Sequence, residues 1–175
     1  MQAITDKARQ VALVIFDIDG VLTDGGLILG EDGNEHKIFH VRDGHGLVML
    51  REAGFHIAVI TARTSNIVAE RMASLGIEFV YQGQRDKGKT VTELMQRAGV
   101  KKEQTAYVGD DLIDLPAMRR SGFAIAVADA HPVVIEQAHW TTSARGGRGA
   151  AREVCELLLA AHGKLQPIIQ NYLDA

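Results

Sequence analysis

Short apolar runs, each ending abruptly in a small, polar or acidic residue, are the clearest pattern along this chain. The first spans residues 11–16, has β-branched side chains at half of its positions, and is followed directly by Asp17. Similar runs span residues 57–60, 79–81, 105–108 and 123–128. Continuous apolar runs of this length are typical of strands buried on both faces, as in a parallel sheet covered by helices.

Segments with helical spacing of apolar residues lie between these runs. Most of them end at a glycine, the residue that most easily adopts the left-handed conformation that closes a helix. The predicted helices cover residues 47–53, 67–75, 91–98, 112–120 and 150–162. Regular alternation of strand and helix favours right-handed crossovers. The predicted fold class is therefore α/β, with a Rossmann-like, doubly wound parallel sheet.

Residues 25–39 depart from that alternation. Two short extended pieces, 27–29 and 36–39, flank an Asp-Gly turn within residues 31–34, which is a hairpin signal. Because the hairpin follows soon after the first predicted strand, we expect it to stand as a flap over that strand's end. No linker or internal repeat divides the chain, so residues 1–175 are predicted to form one domain with a tail at 163–175.

Polar residues follow the apolar runs, and ligands of a doubly wound sheet bind beyond the carboxyl ends of its strands. A lone aspartate there is most often a turn former or a helix cap. Several carboxylates crowded at one edge, however, raise one another's pKa unless a cation neutralises them. Oxygen ligands without histidine or cysteine favour magnesium over zinc. The residues expected to converge are Asp17, Asp19, Thr61, Asp110, Asp111 and, if it opens the third helix, Lys87.

Composition and charge exclude several classes of protein. With 46% hydrophobic and 23% charged residues, the chain is neither disordered nor fibrous. A net charge of -3 is not the excess of positive charge that is typical of nucleic-acid-binding proteins. No apolar run approaches the ~18 residues of a membrane span, and residues 1–10 lack the apolar centre of a signal peptide. The single cysteine, Cys155, cannot form an internal disulfide, which is consistent with a cytoplasmic location.

Four motifs, taken in chain order, resemble those of the haloacid dehalogenase superfamily of phosphotransferases. They are Asp17-Ile18-Asp19-Gly20-Val21, Thr61, Lys87 and Gly109-Asp110-Asp111-Leu112-Ile113-Asp114. The resemblance implies that Asp17 is a nucleophile that forms an aspartyl phosphate. It implies that Asp19 acts first as general acid and then as general base.

The same resemblance implies how the phosphate and a magnesium ion are held. Thr61 and Lys87 are expected to contact the phosphate, and Asp17, Asp110 and the backbone carbonyl of Asp19 to hold Mg²⁺. Asp111 and Asp114 are expected to orient these groups rather than to bind the metal.

Further motifs resemble a subgroup of this superfamily that lacks a cap domain, since no long insertion follows the hairpin or the second strand. These are His40-Val41-Arg42-Asp43-Gly44, Thr61-Ala62-Arg63 and residues 146–153. The activity implied is hydrolysis of 3-deoxy-D-manno-octulosonate 8-phosphate in lipopolysaccharide biosynthesis. The substrate contacts implied are Asp19, His40, Val41, Arg42, Asp43, Gly44, Arg63, Arg71 and Lys87.

Two alternatives stay open beside that activity. One is a phosphatase for a 9-phosphorylated nonulosonate, although Arg63 favours the octulosonate, because the nonulosonate branch tends to carry an acidic residue there. The other is a phospho-accepting receiver module, in which the acceptor aspartate follows the third strand. Here that strand is followed by Gln82 and Gly83. The intact Asp17 and Asp19 argue against an inactive scaffold.

The hairpin also predicts an assembly. Its apolar side chains, Leu27, Leu29, Ile38 and Phe39, are too many for a lone flap to bury and indicate a subunit interface. The resemblance implies a homotetramer whose neighbouring subunits complete each active site. The tail at 163–175 is predicted to add nothing to the core and to act as a mobile lid at a neighbour's site.

Overall fold

The computed structural model describes residues 2–31 and 35–174. Six strands form one parallel sheet: β1 (Leu13–Phe16), β4 (His56–Ile60), β5 (Phe79–Tyr81), β6 (Thr105–Gly109), β7 (Phe123–Ala126) and β8 (Trp140–Thr141). Their order in the sheet is β5-β4-β1-β6-β7-β8. The predicted doubly wound parallel sheet is confirmed, and β8 is a strand that the sequence pattern did not indicate.

A separate antiparallel pair forms the predicted hairpin. Its strands are β2 (Ile28–Leu29) and β3 (Glu35–His36), with Ile28 opposite His36. The turn predicted within residues 31–34 falls largely on residues 32–34, which lie outside the described residues. Both strands are shorter than the extended pieces predicted from the sequence.

Eight helices surround the two sheets within the described part of the chain. They are α1 (Gln2–Ala8), α2 (Val41–Glu52), α3 (Asn66–Ser74), α4 (Lys87–Ala98), α5 (Leu115–Arg120), α6 (Pro132–Gln137), α7 (Ala150–Ala161) and α8 (Leu165–Asp174). Short 3₁₀ turns span Lys102–Gln104 and Leu112–Asp114, so the predicted helix at 112–120 is divided in two. Among the described residues, no helix has the length and apolarity needed to cross a membrane.

The tail corrects one prediction. Residues 165–174 form helix α8, and Leu165 and Ile168 pack against the core. The physical reason is the helical spacing of Leu165, Ile168, Ile169 and Tyr172, which gives α8 one apolar stripe. The tail therefore does add to the packing, although none of its residues is fully buried.

The order of the strands determines where a ligand binds. Residues 13–16 of β1 are fully buried and pair with β4 on one side and β6 on the other. The chain winds outward from β1 through β4 to β5 and then returns to β6. The winding direction thus reverses between β1 and β6, and such a reversal leaves a crevice at the carboxyl ends of these two strands. Asp17 and Asp110 stand directly after them.

Candidate active site

Asp17 lies at the end of β1 and is held by the backbone around it. Its backbone N–H donates to the carbonyl of Val108 over 3.1 Å, which continues the pairing of β1 with β6. Its carboxylate Oδ1 accepts a hydrogen bond of 2.7 Å from the backbone N–H of Ile18. With 4% of its surface exposed, Asp17 is a buried acid whose second oxygen, Oδ2, faces Lys87.

Lys87 is the first residue of α4, and its ammonium group is buried between two carboxylates. Asp86 caps the helix by accepting a hydrogen bond from the backbone N–H of Lys89 over 3.0 Å. The Nζ atom of Lys87 lies 2.8 Å from Asp17 Oδ2 and 2.7 Å from Asp114 Oδ1. Only 1% of the Lys87 side chain is exposed, so both pairs lie out of water. Burial alone would lower the pKa of Lys87, but the two neighbouring carboxylates raise it, so Lys87 stays charged.

Asp114 is fully buried and joins the site residues to one another. Its Oδ1 accepts from Lys87 and from the Tyr107 hydroxyl, each over 2.7 Å. Its Oδ2 accepts from the backbone N–H groups of Asp110 at 3.0 Å and Asp111 at 3.2 Å. An Asp114 oxygen lies within 4.8 Å of those of Asp17 and Asp110, close enough to share a cation. Both oxygens already accept hydrogen bonds from donors of the protein, which is compatible with the positioning role that the resemblance implies for Asp114.

Sequence analysis missed Tyr107. It sits inside an apolar run and looks like core filling, yet its hydroxyl is completely buried. A buried tyrosine usually needs a hydrogen-bond partner, and that general requirement was the available signal. Burial and the neighbouring carboxylates Asp114 and Asp17 raise the pKa of Tyr107 well above its usual range, so it stays a donor.

Asp110 follows β6 and carries the feature that points to a metal. Its Oδ1 is buried and has no hydrogen-bond partner among the described residues. Burial, Asp114 and Asp17 raise the pKa of Asp110 to about 8. Burial and Asp114 likewise raise the pKa of Asp17 to about 7. An unpartnered carboxylate oxygen beside a second buried acid fits a hard divalent cation such as Mg²⁺.

Two glycines allow the loops around this site to approach closely. Gly20 has a φ of +89°, and a Cβ there would lie 2.0 Å from Asp110 Oδ2. A Cβ on Gly146 would lie 1.7 Å from the carbonyl oxygen of Gly20. Glycine at both positions therefore lets the loop after β1 contact Asp110 on one side and the loop before α7 on the other.

Asp19 belongs to a second group of charges, which the hairpin completes. Lys37 contacts Asp19 Oδ1 and lies 2.6 Å from Glu35 Oε1. Arg63 contacts Glu35 Oε2, and its Nε lies 4.0 Å from Asp19 Oδ2. These four residues close a ring of alternating charge, which we call the hairpin ring. Sequence analysis missed Lys37 and Glu35, because a charged residue on a hairpin is usually a solvated one.

Thr61 stands directly after β4 and is 2% exposed. Its backbone N–H donates to the Tyr81 carbonyl over 2.9 Å, which fixes it at the strand end. Its Oγ1 accepts from the backbone N–H of Arg63 over 3.2 Å. The Thr61 hydroxyl group can therefore still donate its own hydrogen to a bound ligand.

The segment His40–Gly44 lies at the start of α2, where its members have different surroundings. Asp43 is 2% exposed and caps α7, accepting from the backbone N–H groups of Gly149 at 3.1 Å and Arg152 at 2.8 Å. Val41 and Arg42 are exposed. Since the Asp43 carboxylate already serves this cap, a substrate contact from it stays a prediction.

Arg71 lies beside this segment. A Cβ on Gly44 would lie 2.3 Å from Arg71 Nη2, so the missing side chain makes room for the guanidinium. Its Cζ lies 6.0 Å from the centre of the Phe39 ring, and its buried Nε has no hydrogen-bond partner among the described residues. Phe39, predicted to be exposed, packs partly against the core here. No hydrogen bond or ion pair of residues 2–31 and 35–174 joins Arg71 to Asp17, Lys87 or Asp110.

Comparison with known proteins identifies relatives of this chain. A family model for haloacid dehalogenase-like hydrolases matches residues 73–153. The 3-deoxy-D-manno-octulosonate 8-phosphate phosphatase KdsC of Escherichia coli K12 is 48% identical over 159 residues, covering 91% of this chain and 85% of that protein. The enzyme of the same name from Yersinia pestis is 45% identical over 163 residues, covering 93% and 87%.

Solved structures agree in fold over nearly the whole chain. A probable YrbI family phosphatase from Pseudomonas syringae has a TM-score of 0.98 at 46% identity, covering 100% of this chain and 99% of that one. The 3-deoxy-D-manno-octulosonate 8-phosphate phosphatase of Moraxella catarrhalis has a TM-score of 0.96 at 40% identity, covering 98% and 99%. That crystal structure contains a magnesium ion, a phosphate ion and a KDO molecule.

Proposed function

The chain belongs to the haloacid dehalogenase-like hydrolases, among the 3-deoxy-D-manno-octulosonate 8-phosphate phosphatases, and on that premise we propose the role of each residue in its site. The reaction is the magnesium-dependent hydrolysis of 3-deoxy-D-manno-octulosonate 8-phosphate to 3-deoxy-D-manno-octulosonate and phosphate, a step of lipopolysaccharide biosynthesis. The observation that carries the assignment of roles is the buried Asp17 carboxylate, held by Lys87 and placed beside the unpartnered oxygen of Asp110.

Asp17 performs the first half of the reaction. Its carboxylate attacks phosphorus and forms an aspartyl phosphate, while the bond from phosphorus to O8 of the sugar breaks. The electron pair of that bond stays on O8, and Asp19 gives O8 a proton. The free alcohol then leaves.

Asp19 performs the second half as a base. It takes a proton from a water molecule as the water oxygen attacks phosphorus. The bond from phosphorus to Asp17 breaks, inorganic phosphate is released, and both carboxyl groups return to their starting states.

Fixed positive charge and hydrogen-bond donors support both halves. Lys87 faces the transferring oxygens from the side of Asp17, and Thr61 donates its hydroxyl hydrogen to the phosphate. Magnesium held by Asp17, Asp110 and the backbone carbonyl of Asp19 supplies the charge that neutralises phosphate and carboxylates. Asp114, Tyr107 and Asp111 keep these groups in place.

The sugar end of the substrate is proposed to meet Arg63, Arg71 and the segment His40–Gly44. Arg63 is 46% exposed at the rim of the site, where a guanidinium can bind a substrate carboxylate in two parallel hydrogen bonds. Its presence favours the octulosonate over a 9-phosphorylated nonulosonate.

Phosphate release measured on a panel of sugar phosphates, with magnesium present, tests this proposal. The expected order places the octulosonate 8-phosphate first, then nonulosonate 9-phosphates, then simple hexose phosphates. The Asp17→Asn variant should be inactive on all of them. A higher kcat/KM for a nonulosonate 9-phosphate would contradict the substrate assignment while leaving the phosphatase chemistry intact.

The same proposal includes the assembly. Leu27, Leu29 and Ile38 of the hairpin are 51%, 71% and 58% exposed, an apolar surface that a neighbouring subunit would cover. In the described part of the chain, no hydrogen bond or ion pair joins Arg71 to Asp17, which is consistent with sites completed by neighbouring subunits. We therefore propose a homotetramer.

A matched pair of substitutions tests the assembly. Leu29→Glu should dissociate the tetramer and reduce activity, as measured by light scattering and phosphate release. Leu173→Glu introduces the same charge at an equally exposed leucine, 73% accessible, and should leave the mass unchanged. A fully active wild-type monomer would contradict the shared site.

Two broader expectations complete the proposal. Residues 1–175 act as one catalytic domain without a cap, the hairpin and neighbouring subunits taking the place of a cap. The enzyme works in the cytoplasm, where its phosphorylated sugar substrate and magnesium are available; the single, buried Cys155 is consistent with a reducing compartment.

A further inference from the structure

The hairpin places a lysine against the acid–base residue, and nothing in the reaction described above uses it. We propose that Lys37 is a positioning residue for Asp19: it fixes the direction of the Asp19 carboxyl group, and Glu35 in turn fixes Lys37. This inference rests on the proposed role of Asp19 as general acid and base.

The burial of Lys37 is the first observation. Its side chain is 1% exposed, whereas lysine is among the residues least often buried unless it is paired. Its pairs are with Asp19 Oδ1 and, at 2.6 Å, with Glu35 Oε1. Both carboxylates keep about a fifth of their side-chain surface exposed, at 21% and 20%. Lys37 is therefore a buried cation paired with two partly exposed carboxylates.

The second observation concerns what restrains the Asp19 side chain apart from Lys37. Asp19 belongs to the loop after β1 rather than to a strand or helix. Asp17, by contrast, is fixed by the Ile18 N–H and by Lys87. Within residues 2–31 and 35–174, the other cation paired with the Asp19 carboxylate is Arg63, whose Nε is 4.0 Å away and whose closer partner is Glu35. Lys37 is thus the main restraint on the direction of this carboxyl group.

Loss of Lys37 should act differently on different leaving groups. A sugar alcohol is a poor leaving group and needs the proton that Asp19 gives it. The nitrophenolate of p-nitrophenyl phosphate departs without protonation. A misdirected Asp19 should therefore slow the first step for the sugar phosphate and leave the first step for the aryl phosphate nearly unchanged.

The experiment compares Lys37→Met, Lys37→Arg and Asp19→Asn in the full chain with magnesium bound. Stopped-flow absorbance measures the burst of nitrophenolate, and rapid quench measures single-turnover release of sugar from the octulosonate phosphate. Lys89→Met is the matched control, since Lys89 is 74% exposed on α4 and pairs only loosely with Glu93 at 3.8 Å.

We expect Lys37→Met to slow the single turnover of the sugar phosphate by about 10-fold to 100-fold, less than the ~10²–10⁴-fold that general acid–base catalysis contributes, because Asp19 is misdirected and not removed. The nitrophenolate burst should keep its amplitude and nearly its rate, while the later steady state slows because hydrolysis also needs Asp19. Lys37→Arg should restore part of the sugar-phosphate rate. Equal losses on both substrates, or none on either, would overturn the inference.

Asp19→Asn separates this inference from the proposed function. If that variant shows the leaving-group dependence and Lys37→Met does not, Lys37 has no positioning role and the function of Asp19 stands. If Asp19→Asn itself lacks the dependence, the acid role of Asp19 is wrong, and the inference falls with it.

Discussion

Two groups of charged residues share this active site, and they are built in opposite ways. Asp17, Lys87, Tyr107 and Asp114 stand on or directly beside regular elements and have at most 4% of their surface exposed. The hairpin ring of Asp19, Glu35, Lys37 and Arg63 joins a loop to a hairpin, and Arg63 is 46% exposed. In the proposed mechanism the first group contains the nucleophile and the ammonium group beside it. The second group contains the acid–base residue Asp19 and Arg63, which is proposed to meet the sugar.

This difference indicates which of the two groups of side chains is held more rigidly. In the buried group each charge is matched by hydrogen bonds, so removing one partner leaves another uncompensated out of water, at a cost of about 3–5 kcal/mol. The exposed Arg63–Glu35 pair is screened by water and contributes between about 0 and 1 kcal/mol. Breaking the Arg63–Glu35 pair therefore costs little, which is compatible with the proposed binding of a substrate carboxylate by Arg63.

Removal of the Lys87 ammonium should have the largest effect. Lys87→Met is expected to lower the free energy of unfolding by about 3–5 kcal/mol, because Asp17 and Asp114 are left buried and facing each other. Turnover should fall by about 10²-fold to 10³-fold with the loss of a donor to the phosphate. Urea denaturation and phosphate release measure the two effects, and Lys89→Met should change neither. A stable Lys87→Met protein would show that the buried group is held by other forces.

Magnesium should stabilise the protein more as the pH rises. Burial raises the pKa of Asp17 to about 7 and that of Asp110 to about 8, from an ordinary value of 3.8. The metal-free folded protein therefore keeps protons that the unfolded chain releases. This stability is complete below about pH 4 and is lost as the pH rises through 7 and 8.

Thermal unfolding between pH 5.5 and 8.5 checks this, with and without chelator. The Tm of the chelated protein should fall across this range, and the increment from added Mg²⁺ should grow. In the Asp110→Asn variant both trends should shrink. An increment that is constant with pH would mean that Asp17 and Asp110 do not hold the metal.

Loss of the Arg63 guanidinium should have a smaller effect that depends on the substrate. Arg63→Ala is expected to reduce kcat/KM for the octulosonate phosphate by about 10-fold to 100-fold, the value of a charge-assisted hydrogen bond. An aryl phosphate, which has no carboxylate, should lose much less. Equal losses on both substrates would place Arg63 at the phosphate, and the two groups would then not differ in the part of the substrate that they contact.

Deletion of residues 164–175 should have the smallest effect. Helix α8 has no fully buried residue and meets α2 through the Tyr172 hydroxyl, 3.3 Å from His45 Nε2. The number of subunits, proposed above to be four, should not change, while kcat or KM changes a few-fold if the tail serves as a lid over a neighbouring site. Unchanged kinetics in the truncated protein would rule out that role.

The sequence predicted the buried group better than the hairpin ring, for physical reasons. Asp17 directly follows a buried apolar run, and the parallel strands bring it to the same edge of the sheet as Asp110. Tyr107 was hidden because an aromatic residue within such a run looks like core. Lys37 was hidden because only the packed hairpin shows that its ammonium is covered.

The fold shows the same limit. Long apolar runs and glycine-terminated helices were predicted from local pattern alone. Strand β8 has two residues, Trp140 and Thr141, too few for any period to be visible. The tail at 163–175 was predicted not to pack against the core, but its apolar stripe packs against the folded domain. Elements that form only by packing against the rest of the folded domain are the ones that a single sequence does not reveal.

Chemical trapping of the phosphoenzyme tests the central claim most directly. The wild-type protein, mixed with magnesium and octulosonate phosphate, is quenched in acid within one turnover, reduced with borohydride and digested for mass spectrometry. Reduction of an aspartyl phosphate should yield homoserine at position 17, and this product should be absent without substrate or magnesium and in Asp17→Asn. Homoserine at another aspartate, or full turnover by Asp17→Asn, would contradict the account.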